Sequence, residues 1–250
     1  MGAEVYVPSN KLPAPAQGGF ALKRTKVLEQ RKQQVRLDER DSDGNDIWVS
    51  SQVLHGRDLG ITILRIGDLL TEEHTLDPLT KSTLHYLRLL LEPDAVRMRE
   101  IRTTIELEVV WRQLAESTSH LVLIGHGDVD NIKLLGAEST VTGHRLGELL
   151  SDGARRGQPK TVVSLSCLTG RAAFARDFSA SDACAEYLAP FHSVHSAAAS
   201  LYAQSFFANH LLNGMGVIGS HRRAREVVGS AGFSFRHWRN GRMVPKSGYI

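Results

Sequence analysis

Cysteine is scarce in this chain: Cys167 and Cys184 are the only two among 250 residues. Two cysteines make no disulfide framework, so a reducing, cytoplasmic setting is expected. Long apolar runs are missing as well. No stretch approaches the roughly 18 residues needed to cross a bilayer, which excludes a membrane-spanning helix. Met1 to Gln17 holds prolines and polar residues but no continuous apolar core, so it does not read as a secretory signal. There is no glycine-rich phosphate loop and no cluster with metal-ligand spacing, and no cofactor is expected.

What is present is the composition of an ordinary globular protein, 42% apolar with 22 glycines, at a length that suits one domain with an arm. The net charge of +3 hides an asymmetry. From Met215 to Ile250 seven bases (Arg222, Arg223, Arg225, Arg236, Arg239, Arg242, Lys246) face the single acid Glu226, which leaves 23 bases and 26 acids elsewhere. Phe233, Phe235 and Trp238 are interleaved with these bases. The segment reads first as a solvated edge strand that packs its aromatics on the core. It carries no specific nucleic-acid signature.

Residues 1–45 combine Pro8, Pro13, Pro15, Gly18 and Gly19 with a charged stretch from Lys23 to Asp43, and are expected to form a weakly structured arm. A domain is expected over 46–250. Ile47–Val49, Gly60–Gly67 and Ala95–Ile101 have strand character, and Leu79–Leu91 has helical spacing ended by Pro93. Thr103 or Thr104 caps a helix with Ile105, Val109, Leu114 and Trp111 on its apolar side. His120–Gly125 and Thr161–Ser166 are buried-strand runs, with a small hairpin arm at Ile132–Leu135 and a helix at Thr142–Leu150 between them. Beyond Cys167 the pattern predicts a polar loop from Thr169 to Ser181, a short helix holding Cys184, Tyr187 and Leu188, a strand over Phe191–His195, and a helix over Ser200–Leu212. Alternating strands and helices predict an α/β fold, a mostly parallel central sheet with helices on both faces.

Two of those strands end in reactive residues. His120-Leu121-Val122-Leu123-Ile124-Gly125 runs into His126-Gly127-Asp128, and Thr161-Val162-Val163-Ser164-Leu165-Ser166 runs into Cys167. Functional groups in such sheets collect at the carboxyl ends of strands. A thiol attacks as thiolate and needs a base, and an imidazole can take its proton and later give it to a leaving amine. The amides of Gly127 and Cys167 are the candidate oxyanion donors, since a glycine lets substrate backbone approach closely. The pair points to a thiol hydrolase.

The blocks LVLIGHGD and TVVSLSCLTG resemble the two signature blocks of the caspase-like cysteine peptidases, and are most similar to the CHAT branch (caspase HetF-associated with TPRs). The run ASLYAQSFFANHLLNGMGV with the succeeding SHRRAREVV is similar to the segment beyond the last core strand in that branch; the likeness spans roughly residues 60 to 230. The resemblance implies a caspase-like three-layer sandwich, a catalytic dyad of His126 and Cys167, protein or peptide substrates, and a bacterial setting of regulated proteolysis or defence with a regulatory protein partner. Two departures matter. Leu165 stands where many basic-specific relatives carry Asp, and Ser193–Ala197 lacks the acids and tryptophan often found there, so a preference for Arg or Lys is not implied. No TPR-like repeat is present.

Other residues weigh less. Asp128 either orients His126 or serves its turn. Asp177, Asp182, His195 and Ser196 are candidate substrate-binding residues, although the two acids read more simply as a solvated loop acid and a helix cap. Cys184 reads as core, His144 and His221 as surface. His192 and His195 would fall on opposite faces of a strand and do not suggest a shared metal. The loop holding Arg171 and Arg176 is a candidate for self-cleavage. A catalytically idle scaffold that binds a partner, or another thiol acyl hydrolase or transferase, stays open beside the peptidase.

Overall fold

In the computed structural model the described residues are 2–14, 16–17, 19–56, 58–67, 74–135, 139–154 and 158–244. Pro15, Gly18 and Lys246, which figure in the expectations above, lie outside them. The chain is α/β, built on a mixed seven-stranded sheet in the order β14-β13-β12-β11-β8-β6-β7. Five of its strands are parallel: β6 (Ile61–Ile66), β7 (Val96–Ile101), β8 (His120–Gly125), β11 (Lys160–Ser164) and β12 (Cys184–Pro190). The hairpin of β13 (Phe235–Arg239) and β14 (Arg242–Val244) adds antiparallel to β12.

The pleat sorts side chains to two cores. Ile61, Ile63, Val122, Ile124, Val163 and Leu165 meet Leu79, Leu84 and Leu87 of α1 (Leu76–Leu90) and Tyr202, Phe206 and Phe207 of α5 (Ser196–Phe207), with Ala224 of α6 (Val217–Val228) alongside. Leu64, Ile66, Leu121, Leu123 and Val162 face the opposite way. They pack on α2 (Thr104–Leu114), α3 (Gly143–Ala154) and α4 (Ala172–Ser179) through Trp111, Leu146 and Phe174. Helices therefore cover both faces. From β6 the chain passes to β7 on one side and then to β8 on the other, so the strand order reverses between β6 and β8. Ligand sites in open sheets favour the crevice at such a reversal.

The expected weakly structured arm is corrected. Residues 1–45 hold β1 (Ala3–Pro8), β2 (Leu22–Arg31) and β3 (Gln34–Arg40), which join β4 (Asp46–Ser50) and β5 (His55–Gly56) in a five-stranded antiparallel sheet. One face of that sheet has its own core of Val5, Val7, Val35, Leu37, Ile47 and Val49. Tyr6 and Leu22 point into the larger core, and Ala21 N–H donates to Leu89 O at 3.3 Å. The short apolar set at period two was masked by Lys, Arg, Asp and Glu at the alternate positions.

Further expectations differ from the structure. In α2 the buried stripe is Thr104, Leu107, Trp111 and Leu114, whereas Ile105 is 73% and Val109 50% exposed. Thr103 Oγ1 caps the helix by accepting from Glu106 N–H, and the Trp111 indole donates to Leu150 O, which sets the phase. The polar loop after Cys167 contains α4, because Phe174, Ala175 and Phe178 recur at helical spacing and are buried. That removes the expected self-cleavage loop: Arg176 sits inside α4, and Arg171 Nε donates to Phe191 O at 3.1 Å. Cys184, Tyr187 and Leu188 lie on strand β12, not on a helix, and 191–195 is a connection, not a strand. His221 is buried, with its Nδ1 2.6 Å from Tyr202 Oη; His144 is exposed as expected.

Four imidazoles, His120 and His221 buried and His55 and His210 half-buried, couple this fold to pH. His55, His120 and His210 cluster where β5, the start of β8 and a π-helical turn (Ala208–Leu212) meet, with ring centres 5.1 Å apart for His120 and His210 and 6.2 Å for His55 and His210. Burial pushes all three below the ordinary imidazole value, and His120 furthest. Burial, aided by His237, Arg225 and Arg236, holds His221 at about 3. The folded state thus favours the neutral rings. Stability from them is complete above the unfolded value of about 6.5 and is lost as pH falls below it. Urea unfolding should show stability falling from pH 7 to 5, a window above carboxylate titration. His120→Phe should flatten the slope by about 1 kcal/mol per pH unit. Equal slopes for both proteins would refute this account of the cluster.

Candidate active site

β8 and β11 are parallel neighbours, with Leu123 opposite Ser164 and Leu165 N–H donating to Leu123 O at 2.8 Å. His126 and Cys167 each stand three residues beyond that last pair, at the carboxyl tips of adjacent strands. They also continue the parity of Val122/Ile124 and Val163/Leu165, the residues that face α1 and α5. Adjacent strands run about 4.8 Å apart, so in-register tips bring the two backbones within reach of each other.

A direct contact shows that the tips meet. A Cβ placed on Gly127 would lie 2.2 Å from Cys167 O, 2.7 Å from Thr169 Cγ2 and 3.2 Å from Ser166 Cβ. Only glycine lets the histidine turn rest on the cysteine turn. The His126 segment is steered there by a hairpin of β9 (Asn131–Lys133) and β10 (Thr140–Thr142), the arm expected near Ile132. His126 O accepts from Lys133 N–H at 2.8 Å and Asp128 N–H donates to Asn131 O at 2.8 Å. These bonds bracket a non-hydrogen-bonded Gly127/Ile132 pair, which leaves the Gly127 N–H pointed away from the hairpin. Asp128 Oδ1 accepts from Val129 N–H at 2.7 Å, so this carboxylate serves its turn. The His126 side chain is exposed and Cys167 is half-buried.

The cysteine turn is tightly braced. Leu168 takes a φ of +65°, a conformation that costs a bulky side chain of order 1 kcal/mol and needs compensation from its surroundings. The compensation is visible. Ser164 Oγ and Thr169 Oγ1 lie 2.9 Å apart, and Thr169 Oγ1 donates to Ser166 O at 2.8 Å. Tyr187 Oη donates to Thr169 O, the Trp238 indole to Gly170 O, and Gly170 N–H to Pro190 O. Val194 N–H lies 3.4 Å from Cys167 Sγ, and Sγ is 3.8 Å from Val194 O. Val194 thus sets a backbone donor against the sulfur. Neither this donor nor the Ser164–Thr169 brace was anticipated from sequence. The small hydroxylated residues around Cys167 were the available signal for the brace.

The remaining candidates divide. His195 and Ser196 come directly after Val194. His195 Nδ1 accepts from Ala197 N–H at 3.2 Å to cap α5, and both residues line a cavity of about 460 Å³ between α1 and α5. Asp177 and Asp182 are not brought to the strand tips. They line a cavity of about 610 Å³ between α3 and α4, with His144, Glu148 and Asp152, and those helices cover the face opposite α5. Asp177 lies within α4, and Asp182 starts no helix, so the expected cap is corrected. Cys184 is a core residue whose thiol burial pushes well up, away from reactivity. Among the described residues no group of three or more His, Cys, Asp or Glu side chains could hold a metal ion, and no helix is long and apolar enough to cross a membrane. No family model matches the chain, and no curated protein matches its sequence.

Gly127→Ala tests the contact of the two turns. The added methyl meets backbone rather than a movable side chain, so the variant should lose about 1–3 kcal/mol in urea unfolding. Its Cys167 alkylation rate should change while Cys184 stays unreactive. Stability and alkylation equal to the parent protein would show that the turns do not touch.

Proposed function

We propose that the chain is a cysteine endopeptidase of the caspase-like, CHAT-branch type, and that Cys167 and His126 cleave peptide bonds of protein substrates in a reducing cytoplasm. Support comes chiefly from one observation, the in-register tips of β8 and β11 with Gly127 seated on the Cys167 backbone. The exposed imidazole and half-buried sulfur suit a groove open to an extended peptide. The seven-stranded sheet covered on both faces is compatible with the caspase-like sandwich.

In this reading His126 removes the Cys167 proton, and the sulfur attacks the substrate carbonyl carbon. Negative charge collects on the carbonyl oxygen and is met by the N–H groups of Gly127 and Cys167. His126 returns the proton to the leaving amine as the C–N bond breaks, which leaves a thioester on Cys167. Water, deprotonated by His126, attacks that thioester and releases the acid product and the thiol. No cofactor is required by these steps. The brace around Thr169 holds the sulfur still, so less of the binding energy goes to ordering it.

A thiol-directed peptidyl probe should label Cys167 and not Cys184, and His126→Ala should reduce the labelling rate at least about 100-fold, the scale of a lost general base. Retained labelling in His126→Ala would exclude the dyad. No labelling of the parent protein would favour a catalytically idle scaffold.

A further inference from the structure

The histidine cluster at the amino end of β8 has a bonding pattern that goes beyond a stability effect. Each ring uses its one N–H on an oxygen. His55 Nε2 donates to Leu211 O at 2.9 Å, and His210 Nδ1 donates to Met215 O at 2.7 Å. Ser119 Oγ donates to Gly60 O at 3.1 Å, so in its 2.8 Å contact with His120 the ring Nδ1 is the donor. The second nitrogen of every ring is therefore a lone pair. That of His120, Nε2, is buried without a hydrogen-bond partner among the described residues. Phe207 meets the His120 ring edge-on at 5.9 Å, and Phe206 stacks on His210 at 5.5 Å. A Cβ on Gly214 would lie 3.4 Å from Gln52 O, so the chain beyond the π-helical turn rests on the 3-10 turn Ser51–Val53 that leads into β5. The charged groups around the cluster are few. Lys160 starts β11, and Asp58 acts on its ammonium. Arg97 Nη1 donates to Ser117 O at 3.0 Å, close to Gly60. Arg24 Nη2 donates at 2.6 Å to the hydroxyl of Tyr6, the cross-strand partner of His55. Among the described residues no carboxylate pairs with any of the three rings.

We propose that His55, His120 and His210 form an acid-released latch, which ties residues 51–56 to the 208–215 segment at neutral pH and frees both in mild acid. The three side chains are not placed to hold a metal ion, which leaves the proton as the species they bind. An added proton must enter at a lone pair. That nitrogen then becomes a donor facing other rings, with no oxygen to receive it, and a buried cation without a partner is costly. Opening lets water reach the nitrogens, so acid favours the open form. Burial holds each ring below its ordinary value, so the latch is fully closed above about 6.5 and weakens as pH falls below it. Opening stays local because β5 is short and meets β1 only at Val5/Gly56 and Tyr6/His55. Single π-helical turns such as Ala208–Leu212 occur frequently at functional sites. The latch also stands at the far ends of the two elements that build the strand-tip site. β8 runs from His120 to Gly125 before His126, and α5 runs from Ser196, two residues after Val194, to the π-helical turn. Each reach is roughly 20 Å. A shift of α5 on opening moves Val194 off the Cys167 sulfur, which it touches at 3.4 Å in the closed form. The latch itself stands on the fold, whereas its control of catalysis rests on the peptidase reading.

The test is hydrogen exchange of the full chain between about pH 7.5 and 5, read by mass spectrometry and corrected for the intrinsic pH dependence of exchange. Residues 51–56 and 208–215 should lose protection by at least about tenfold per pH unit below 6.5, the response to one proton taken up on opening. Residues 121–125 and 161–164 should stay protected. His120→Phe should reduce the slope, and His210→Gln replaces it if the former does not fold. In parallel, cleavage of a peptide library is followed for the parent protein, His120→Phe and Cys167→Ala. The ratio of Cys167-dependent cleavage rates, His120→Phe over parent, cancels the titration of the dyad that both share. It should rise about tenfold across the same pH range. Exchange of the two segments that ignores pH, or an equal slope in the variants, overturns the latch. Loss of protection in 121–125 and 161–164 at the same rate shows global unfolding and overturns it as well. Exchange as expected with a flat cleavage ratio overturns the control of catalysis and leaves the peptidase standing. Exchange as expected with no Cys167-dependent cleavage at any pH overturns the peptidase and supports the latch alone.

Discussion

The contact of Gly127 with the backbone of Cys167 governs the rest of the site. Parallel pairing of β8 with β11 ends at Leu123 and Ser164, and each strand then runs three residues further to His126 or Cys167. Equal lengths beyond equal register bring the two turns to one place. Any side chain at residue 127 would push them apart, since the space a Cβ would need is held by a carbonyl oxygen. The meeting of the two turns is therefore a consequence of sheet register plus one missing methyl group, with the hairpin β9–β10 holding the histidine turn in line.

A sheet can hold such a site because its two cores are large and separate. Residues of even number in β8 and odd number in β11 share the α1/α5 face, and their neighbours share the other. A slip of one residue would exchange every side chain between those faces, so packing of the whole domain defends the register. Strain at Leu168 is carried by a chain of hydroxyl and indole hydrogen bonds anchored on β12 and β13. The antiparallel hairpin at that edge thus braces the cysteine turn through Trp238.

The strands that carry His126 and Cys167 were legible because fully buried parallel strands are short, continuous apolar runs. Helix α1 was legible because Leu79, Leu84, Leu87 and Leu90 keep one face. The N-terminal sheet was not, since its strands bury only a few residues each among many charges, and pairing partners far along the chain supply the missing stability. Helix α4 was hidden by Arg171, Arg176, Asp177 and Ser181, which surround the two phenylalanines that anchor it. Ile105 and Val109 misled because their spacing fits a helix face, but Trp111 is larger and its indole has a partner only when turned inward. Asp177 and Asp182 come after the cysteine in sequence yet belong to the opposite face of the sheet; nearness along the chain said nothing about that. The Val194 N–H on the sulfur is a backbone donor and leaves no trace in residue identity.

The central claim is that the side chains at 126 and 167 stand close enough to exchange a proton. A chemical cross-link measures this without reference to activity. In the double variant His126→Cys, Cys184→Ser, mild oxidation should form one intramolecular disulfide between positions 126 and 167, seen as a loss of about two mass units and of both free thiols, because in-register neighbours lie within the Cα separation a disulfide spans. If the folded double variant keeps both thiols free under the same oxidation, the two strand tips do not meet and the account fails.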